Sequence, residues 1–171
     1  SYVPTSSRQL AHLLNHRHEI VAIEIKVELV LNMEEQSKLW IDYAQKIDRA
    51  IKFGHSVVLF TSRTLVSAAT ASENQAIGKS ISHFITQIIG ALTIQPAYLL
   101  TKGGITSSDI ATKSLRIKRA MVKGQIIKGV PVWELGEETK FPKSYQIIFP
   151  GNVGTESSLT EVVEKLMINR I

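Results

Sequence analysis

Two glycine-containing turns follow apolar segments, and their residue types suit the binding of an anion. The first turn is the run Lys102–Ser108, and the second is the run Pro150–Thr155. Glycines allow backbone N–H groups to approach a phosphate closely, and the start of a helix carries a partial positive charge. Because parallel strands end at the same edge of a sheet, we expect the two turns to converge on one phosphate-bearing ligand.

The local pattern of these turns is less specific than a P-loop. Neither turn contains the G-x-x-x-x-G-K-[ST] pattern, and Lys102 precedes the glycines instead of following them. A tight turn followed by a helix cap also explains the first run without any ligand. The segment Thr61–Thr64 is a third candidate, because Arg63 can bind a phosphate through two parallel hydrogen bonds. An exposed loop arginine is the alternative there.

The residue types present exclude several kinds of site. The 171-residue chain contains no cysteine, which excludes disulfides, zinc-thiolate sites and cysteine nucleophiles and fits a reducing compartment. His16 and His18 are two positions apart and would not share a helix face, and no histidine lies in a zinc or nucleophile pattern. Aromatic residues make up only 6% of the chain, which is thin for single-stranded nucleic-acid binding.

Positive charge is concentrated in one segment. The range Lys102–Lys143 contains nine Lys or Arg and four Asp or Glu residues, whereas the rest of the chain has eleven of each sign. Within it lies a basic strip without an acidic residue (Lys113, Arg116, Lys118, Arg119, Lys123 and Lys128). Such a strip attracts the phosphate of a nucleotide or a nucleic acid, and a solvated basic face is the ordinary alternative.

The apolar pattern predicts helices alternating with strands up to about residue 116, and clustered strands afterwards. Predicted helices cover about 6–15, 32–54, 73–93, 107–115 and 155–169, and predicted strands cover 19–30, 56–61, 97–100, 117–127, 130–135 and 145–149. The runs Val57–Phe60 and Ala97–Leu100 are continuously apolar, as central parallel strands are. We therefore predict an α/β fold with a mainly parallel central sheet sandwiched by helices, and an added β-rich segment in the C-terminal third.

The sequence does not favour a membrane location. Residues Ser1–Arg8 are polar, so no secretory leader is predicted. The uncharged stretch Ser80–Thr101 is long enough to span a bilayer, but its polar residues and its proline favour a buried helix followed by a buried strand. We expect a cytoplasmic protein.

Four motifs in order along the chain resemble the nucleotide-binding C-terminal domain of the four-carbon acid sugar kinases. Three of them are the runs Lys102–Thr112, Gly129–Trp133 and Phe149–Gly154. The fourth is the opening Ser1–Leu10, which is similar to that family's Gly-Ser-x-x-Pro-x-Thr-x-x-Gln-Ile loop, cut just after its glycine. Each motif is short, but four in register over the whole chain make the resemblance fairly specific.

The resemblance implies an activity, a ligand and a domain organisation. Full-length members use ATP to phosphorylate four-carbon sugar acids such as threonate, erythronate and 3-oxo-tetronate, with the acid sugar mainly on an N-terminal domain and ATP on the C-terminal domain. Residues 1–171 would then be a single nucleotide-binding domain of a longer two-domain kinase, bind ATP or ADP weakly, and lack kinase activity in isolation. Mg²⁺ is the implied metal. The implied ATP contacts are Ser1, Gly103, Gly104, Ile105, Thr106 and Gly151.

Two departures from the family's pattern bear on this chemistry. Many members have an acidic residue where this chain has Ile105, and hydroxyl or small residues where it has Tyr2 and Val3. The metal ligands and the catalytic base therefore stay unassigned, with Asp109 as a candidate substitute ligand. A non-catalytic ligand-sensing or subunit-interaction domain on the same fold is the alternative function. The implied partners are ATP, ADP and the acid sugar, without nucleic acid or membrane, and homo-oligomers are left open.

Overall fold

The protein is described by a computed structural model that covers residues 4–31, 36–62 and 70–169. Its elements in chain order are α1 (Pro4–His16), β1 (Val21–Ile25), α2 (Val27–Leu31), α3 (Gln36–Lys52), β2 (Val57–Thr61), α4 (Ala71–Ala91), β3 (Tyr98–Lys102), α5 (Gly104–Asp109) with a π-helical continuation (Ile110–Ser114), β4 (Ala120–Ile127), β5 (Val130–Leu135), β6 (Tyr145–Phe149) and α6 (Ser158–Asn169). The contacts of the chain group these elements into two compact units. Of the described residues, those within 19–94 form the first unit, and those within 4–18 and 95–169 form the second.

The first unit combines a two-stranded parallel sheet with packed helices. Strands β1 and β2 run in parallel, with Val21 paired to Val57. Apolar residues at helical spacing give α3 a stripe that packs on α4. From this stripe, Tyr43 and Trp40 place their rings edge-on to the ring of Phe84, at centroid distances of 6.0 and 6.5 Å.

Local signals explain where the long helices of this unit begin and end. At the start of α4, the Thr70 hydroxyl accepts a hydrogen bond from the Glu73 N–H, and the Glu73 carboxylate accepts one from the Thr70 N–H. This reciprocal capping box pairs two backbone donors that the helix leaves unsatisfied. Helix α3 ends just before Gly54, whose φ of +81° favours glycine.

The second unit is built on a four-stranded sheet with the order β3-β6-β5-β4. Strands β3 and β6 are parallel, whereas β5 is antiparallel to both β6 and β4. Ile147 and Phe149 of β6 and Val130 of β5 are fully buried, so β6 lies at the centre of the core of this unit. Helix α1 packs against α6, and α5 packs against β3 and β6.

The predicted α/β class and the β-rich C-terminal third are confirmed, and one part of the predicted sheet is wrong. Strands β2 and β3, which cover the two continuously apolar runs, lie in separate sheets, and the second sheet is mixed. Both strands are half-buried, and β3 lies at one end of the strand order of its sheet, so the continuously apolar runs did not mark central strands. Here β3 pairs with β6, which follows much later in the chain.

Some element bounds also differ from the sequence prediction. The strand predicted for 19–30 ends at Ile25, and Val27–Leu31 forms α2 instead. The last helix begins at Ser158 rather than at Thr155. The predicted start of the helix 32–54 lies outside the described residues.

Within the described ranges, no helix is both long and apolar enough to cross a bilayer. The uncharged stretch from residue 80 to residue 101 forms the second half of α4 and most of β3. The predicted order of a helix followed by a strand is confirmed, but the helix is buried on one face only and the strand is half-buried.

Candidate functional site

The two glycine-containing turns lie side by side, because β3 and β6 are parallel neighbours. Lys102, the last residue of β3, pairs with Phe149, the last residue of β6. Directly beyond that pair, the Gly103 N–H donates to the Phe149 carbonyl at 2.9 Å and extends the ladder by one bond. The structure therefore brings the first turn and the second turn to one edge of the sheet, as the sequence predicts.

Gly103 and Gly104 have different roles in the first turn. Gly103 has a φ of +99°, a conformation that side chains with a Cβ rarely adopt, so glycine is needed there for the backbone. Gly104 has no such requirement, and a Cβ built on it would meet no atom within 4 Å. The same open space lies beside Gly151 in the second turn. Each turn thus has one glycine, Gly104 or Gly151, with open space beside it, whereas Gly154 of the second turn is crowded by Ser158.

The first turn presents backbone donors at the start of α5. Gly103 caps the helix, and its carbonyl accepts the first intrahelical bond, from the Ser107 N–H at 3.0 Å. The N–H groups of Gly104, Ile105 and Thr106 therefore precede the first helical donor, the Ser107 N–H, and have no partner within the helix. Three donors in one turn, next to glycines without side chains, suit the oxygen atoms of an anion.

A buried amide below this turn holds it in place. The Gln146 side chain of β6 is fully buried, and its Nε2 donates to the Thr101 hydroxyl at 3.4 Å and to the Ser107 carbonyl at 3.5 Å. It therefore joins β6 to β3 and to the first turn of α5. The Ser107 hydroxyl is also buried but has no hydrogen-bond partner in the described part of the chain. Such a group normally bonds to a ligand or to water.

The second turn is held by a residue from α1. Gln9 is fully buried, and its Nε2 donates to the Val153 carbonyl at 3.1 Å and to the Thr155 carbonyl at 2.7 Å. The position of the Gly151 backbone thus depends on a side chain more than one hundred and forty residues away. Sequence reasoning assigned Gln9 no role, although it lies within the motif that opens the chain.

A cavity of about 440 Å³ opens beside the first turn, within the range of small-molecule sites. It combines apolar walls, hydroxyl groups and two cations. Its lining includes Gly104, Ser107, Ser108, Thr112, Lys118, Arg119, Val122, Trp133 and Ile148. The apolar walls suit an aromatic ring, and the hydroxyl groups and cations suit polar and anionic groups.

The basic strip is divided by the structure. Lys118 and Arg119 line the cavity. Lys113 forms an ion pair with Asp109 at 2.7 Å, and Lys123 forms one with Glu134 at 2.9 Å. All six residues of the strip are exposed, as on a solvated basic face, and two of them also line the cavity.

Lys102 begins the first turn and contacts the second, and it was not among the predicted contacts. Its Nζ donates to the Pro150 carbonyl at 3.2 Å and lies 4.1 Å from the centroid of the Phe149 ring. The side chain is half-buried, and this burial lowers the pKa of its ammonium group from 10.5 to about 8. Its position at the end of an apolar strand is the sequence signal that could have identified it.

The described residues do not provide a metal site. Among them there is no group of three His, Asp or Glu side chains placed to hold an ion. The candidate ligand Asp109 is already paired with Lys113. Ser1 and Arg63, which the sequence singled out, lie outside the described residues.

Comparison with known proteins identifies the family of this chain. A model of the family described as "nucleotide-binding C-terminal domain" matches residues 1–159. The comparison with curated proteins gave no match.

Several solved structures share the fold. A Salmonella typhimurium LT2 protein provisionally named a tRNA synthase aligns over 96% of this chain, with a TM-score of 0.69 and 18% identity. A domain of unknown function from Bordetella bronchiseptica, a domain-swapped dimer with bound citrate, aligns over 96% of this chain, with a TM-score of 0.68 and 12% identity. Haemophilus influenzae protein HI1011 aligns over 94%, with a TM-score of 0.64 and 16% identity. This chain spans only 37–39% of the length of those three chains.

Proposed function

This chain belongs to the family of nucleotide-binding C-terminal domains, and we propose on that premise that it is the ATP-binding part of a kinase. The kinase transfers the γ-phosphoryl group of ATP to a hydroxyl group of a four-carbon acid sugar. The acid sugar binds mainly to an N-terminal domain, and residues 1–171 are the C-terminal part of that longer protein. Partial coverage of the solved relatives supports this arrangement.

The observation that carries the proposal is that the two turns lie side by side at the ends of β3 and β6, with the cavity beside the first of them. The phosphate groups lie on the N–H groups of Gly104, Ile105 and Thr106, and the Gly151 turn closes the other side. The cavity holds the nucleoside, with its base against the apolar wall at Trp133. Open space beside Gly104 and Gly151 and the unpartnered hydroxyl of Ser107 fit such a ligand.

This site contributes positioning and electrostatic stabilisation to the reaction. Phosphoryl transfer needs little covalent chemistry from the protein, so fixed donors around the phosphate oxygens supply most of the effect. Gln146 contacts the first turn through the Ser107 carbonyl, and Gln9 contacts the second turn through the Val153 carbonyl. The proton acceptor for the sugar hydroxyl belongs to the N-terminal domain. The proposal therefore predicts that this chain alone binds nucleotide without phosphorylating an acid sugar.

Mg²⁺ is not assigned to residues of this chain. Magnesium prefers carboxylate and phosphate oxygens. Asp109 is ion-paired to Lys113, and Ile105 offers no oxygen ligand in its side chain. No step of the proposed reaction is therefore routed through a metal held by this chain.

Titration of the 171-residue chain with ATP, ADP, AMP and adenosine tests the proposal. Trp133 lines the cavity, so its fluorescence should change as the nucleotide binds. The chain contains two tryptophans. A Trp40→Phe variant makes Trp133 the only reporter. Saturable binding that strengthens with each added phosphate is the expected result, and binding of adenosine alone, without any gain from phosphate, would contradict the assignment of the turns.

Ile105 favours a second candidate, a nucleotide-sensing domain without catalysis. Its side chain is 76% exposed in the first turn, where many members of the resembled family carry an acidic residue. Kinase assays of the full-length protein, with Ile105 and with Ile105→Asp, separate the two functions. Kinase activity of the protein that keeps Ile105 supports the first candidate. A protein that binds ATP but phosphorylates none of threonate, erythronate and 3-oxo-tetronate supports the second.

A further inference from the structure

We propose that Lys102 is a phosphate ligand, and that its ammonium group pairs with the terminal phosphate of the nucleotide held by the two turns. This inference rests on the proposed function and adds to it a residue, a charge and a direction of approach. Lys102 precedes Gly103 and belongs to β3, so its backbone is fixed by the sheet rather than by a loop.

The geometry places the ammonium group where both turns meet. Nζ lies 3.2 Å from the carbonyl of Pro150, which precedes Gly151, and 4.1 Å from the Phe149 ring centroid. Because Lys102 and Phe149 are paired at the ends of neighbouring parallel strands, Nζ bridges the two strand ends. Lys102 and Phe149 alternate with Thr101 and Ile148, so Nζ lies on the face of the sheet opposite α5, and a phosphate on the Gly104 N–H group would meet it at the ends of the two strands.

The charge of Lys102 lacks an anionic partner within the described ranges. The ion pairs of the described residues involve other lysines and an arginine, and none includes Lys102. A carbonyl and a ring face stabilise an ammonium group less than a carboxylate or a phosphate does. Desolvation without a counter-ion accounts for a pKa of about 8, and a bound phosphate would raise that pKa again.

Few other titratable groups face Lys102 from the elements packed against β3. Helix α5 carries Asp109, whose carboxylate is 2.7 Å from the Nζ of Lys113. Strand β6 carries Tyr145, which pairs with Tyr98 at the opposite end of the two strands. The turn 150–154 carries none. Proton uptake on nucleotide binding is therefore assigned to Lys102.

A structural role is the rival explanation. In that case Lys102 only ties the Pro150 turn to β3, and its loss would loosen the turn for every ligand. The two explanations differ in their dependence on phosphate and on pH. If Lys102 binds the phosphate, its side chain contributes to ADP binding but not to adenosine binding, and the side chain takes up a proton when the phosphate binds.

Two measurements on the 171-residue chain test the proposal. The first compares ADP and adenosine affinities for wild type, Lys102→Met and Lys140→Met. Lys140 is a matched control, because its Nζ also lies near a ring, 5.4 Å from the centroid of Phe141, outside the site. We expect Lys102→Met to weaken ADP binding about tenfold or more, since a hydrogen bond to a charged group has this magnitude, and to leave adenosine binding unchanged.

The second measurement is calorimetry of ADP binding near pH 9 in buffers of different ionisation enthalpy. In the protein without nucleotide, the Lys102 side chain is mostly the neutral amine at this pH, because its pKa is about 8. ADP phosphates are already fully ionised, since phosphate esters lose their second proton near pH ~6. Wild type should therefore take up close to one proton as ADP binds at pH 9 and almost none at pH 7, and ADP affinity should fall as the pH rises above 8. Lys102→Met should lose this uptake.

The outcomes separate this proposal from the proposed function. Wild type that binds ADP without proton uptake, or a Lys102→Met variant that weakens ADP and adenosine equally, overturns the role of Lys102 alone. Wild type that binds neither compound overturns the proposed function and the role of Lys102 together. Should Lys102→Met fail to fold, the proton measurement on wild type still decides.

Discussion

Replacing Gly104 by valine tests the phosphate-binding turn with little effect on the fold. A Cβ at Gly104 meets nothing within 4 Å, and Gly104 has no left-handed φ that a side chain would strain. Valine has a slightly higher helix propensity than glycine, and Gly104 is the first residue of α5. The free energy of unfolding should therefore change by no more than about 0.5 kcal/mol, as for other exposed substitutions.

The same substitution should strongly weaken nucleotide binding. A phosphate that accepts hydrogen bonds from Gly104, Ile105 and Thr106 must approach the backbone to about 2.9 Å, and the valine methyl groups would occupy that space. Loss of even one hydrogen bond to a charged group costs about 1.5–3 kcal/mol. ADP affinity should thus fall about tenfold to a hundredfold. Thr106→Ala should cost less, because one neutral hydrogen bond contributes about 0.5–1.5 kcal/mol.

The assay is an ADP titration that follows Trp133 fluorescence in the Trp40→Phe background, with thermal unfolding measured in parallel. Gly78→Val is the matched control, because Gly78 lies in α4 of the other unit and also has open space around its Cβ position. Wild type and the control should gain about 2.7 kcal/mol of stability at an ADP concentration one hundred times the dissociation constant. Gly104→Val should gain much less at that concentration.

One result would refute the reasoning about this turn. A Gly104→Val protein with normal melting temperature and wild-type ADP affinity would show that the phosphate does not approach the first turn of α5. The cations Lys118 and Arg119 at the cavity would then be the next positions to test.

Three further substitutions have predicted effects. Gln9→Ala should lower stability by about 1–3 kcal/mol, because the Val153 and Thr155 carbonyls lose a buried donor. It should also weaken ADP binding. Gln9→Glu keeps the shape of the side chain but removes the amide donor, so a Gln9→Glu protein that folds and binds ADP normally would show that Gln9 acts by packing alone. Gly103→Ala should cost about 1–3 kcal/mol in chemical denaturation, because a φ of +99° is strained for alanine; an unchanged unfolding midpoint would contradict this. Thr70→Ala should cost about 1 kcal/mol through loss of the capping box while ADP affinity stays the same, and altered affinity would count against a purely local effect.

Much of the local structure and the candidate turns could be predicted from the sequence. Helical spacing of apolar residues indicated α3 and α4, and β-branched runs between glycines indicated β5 and β6, because these signals act over a few residues. Glycines after an apolar strand and before hydroxyl residues marked the first turn for the same reason. The convergence of the two turns also followed from one rule, that parallel neighbouring strands end at a common edge.

Strand partners and distant side-chain contacts depended on the tertiary structure. Apolarity indicated that β2 and β3 are strands but could not choose their neighbours, since hydrogen bonds between strands are the same for any sequence. The roles of Gln9 and Gln146 were decided when folding buried their amides against backbone carbonyls far along the chain. For Lys102, the sequence shows only a lysine before two glycines. Its pKa of about 8 arises because the folded sheet places it beside Phe149 and Pro150 and removes water from its charge.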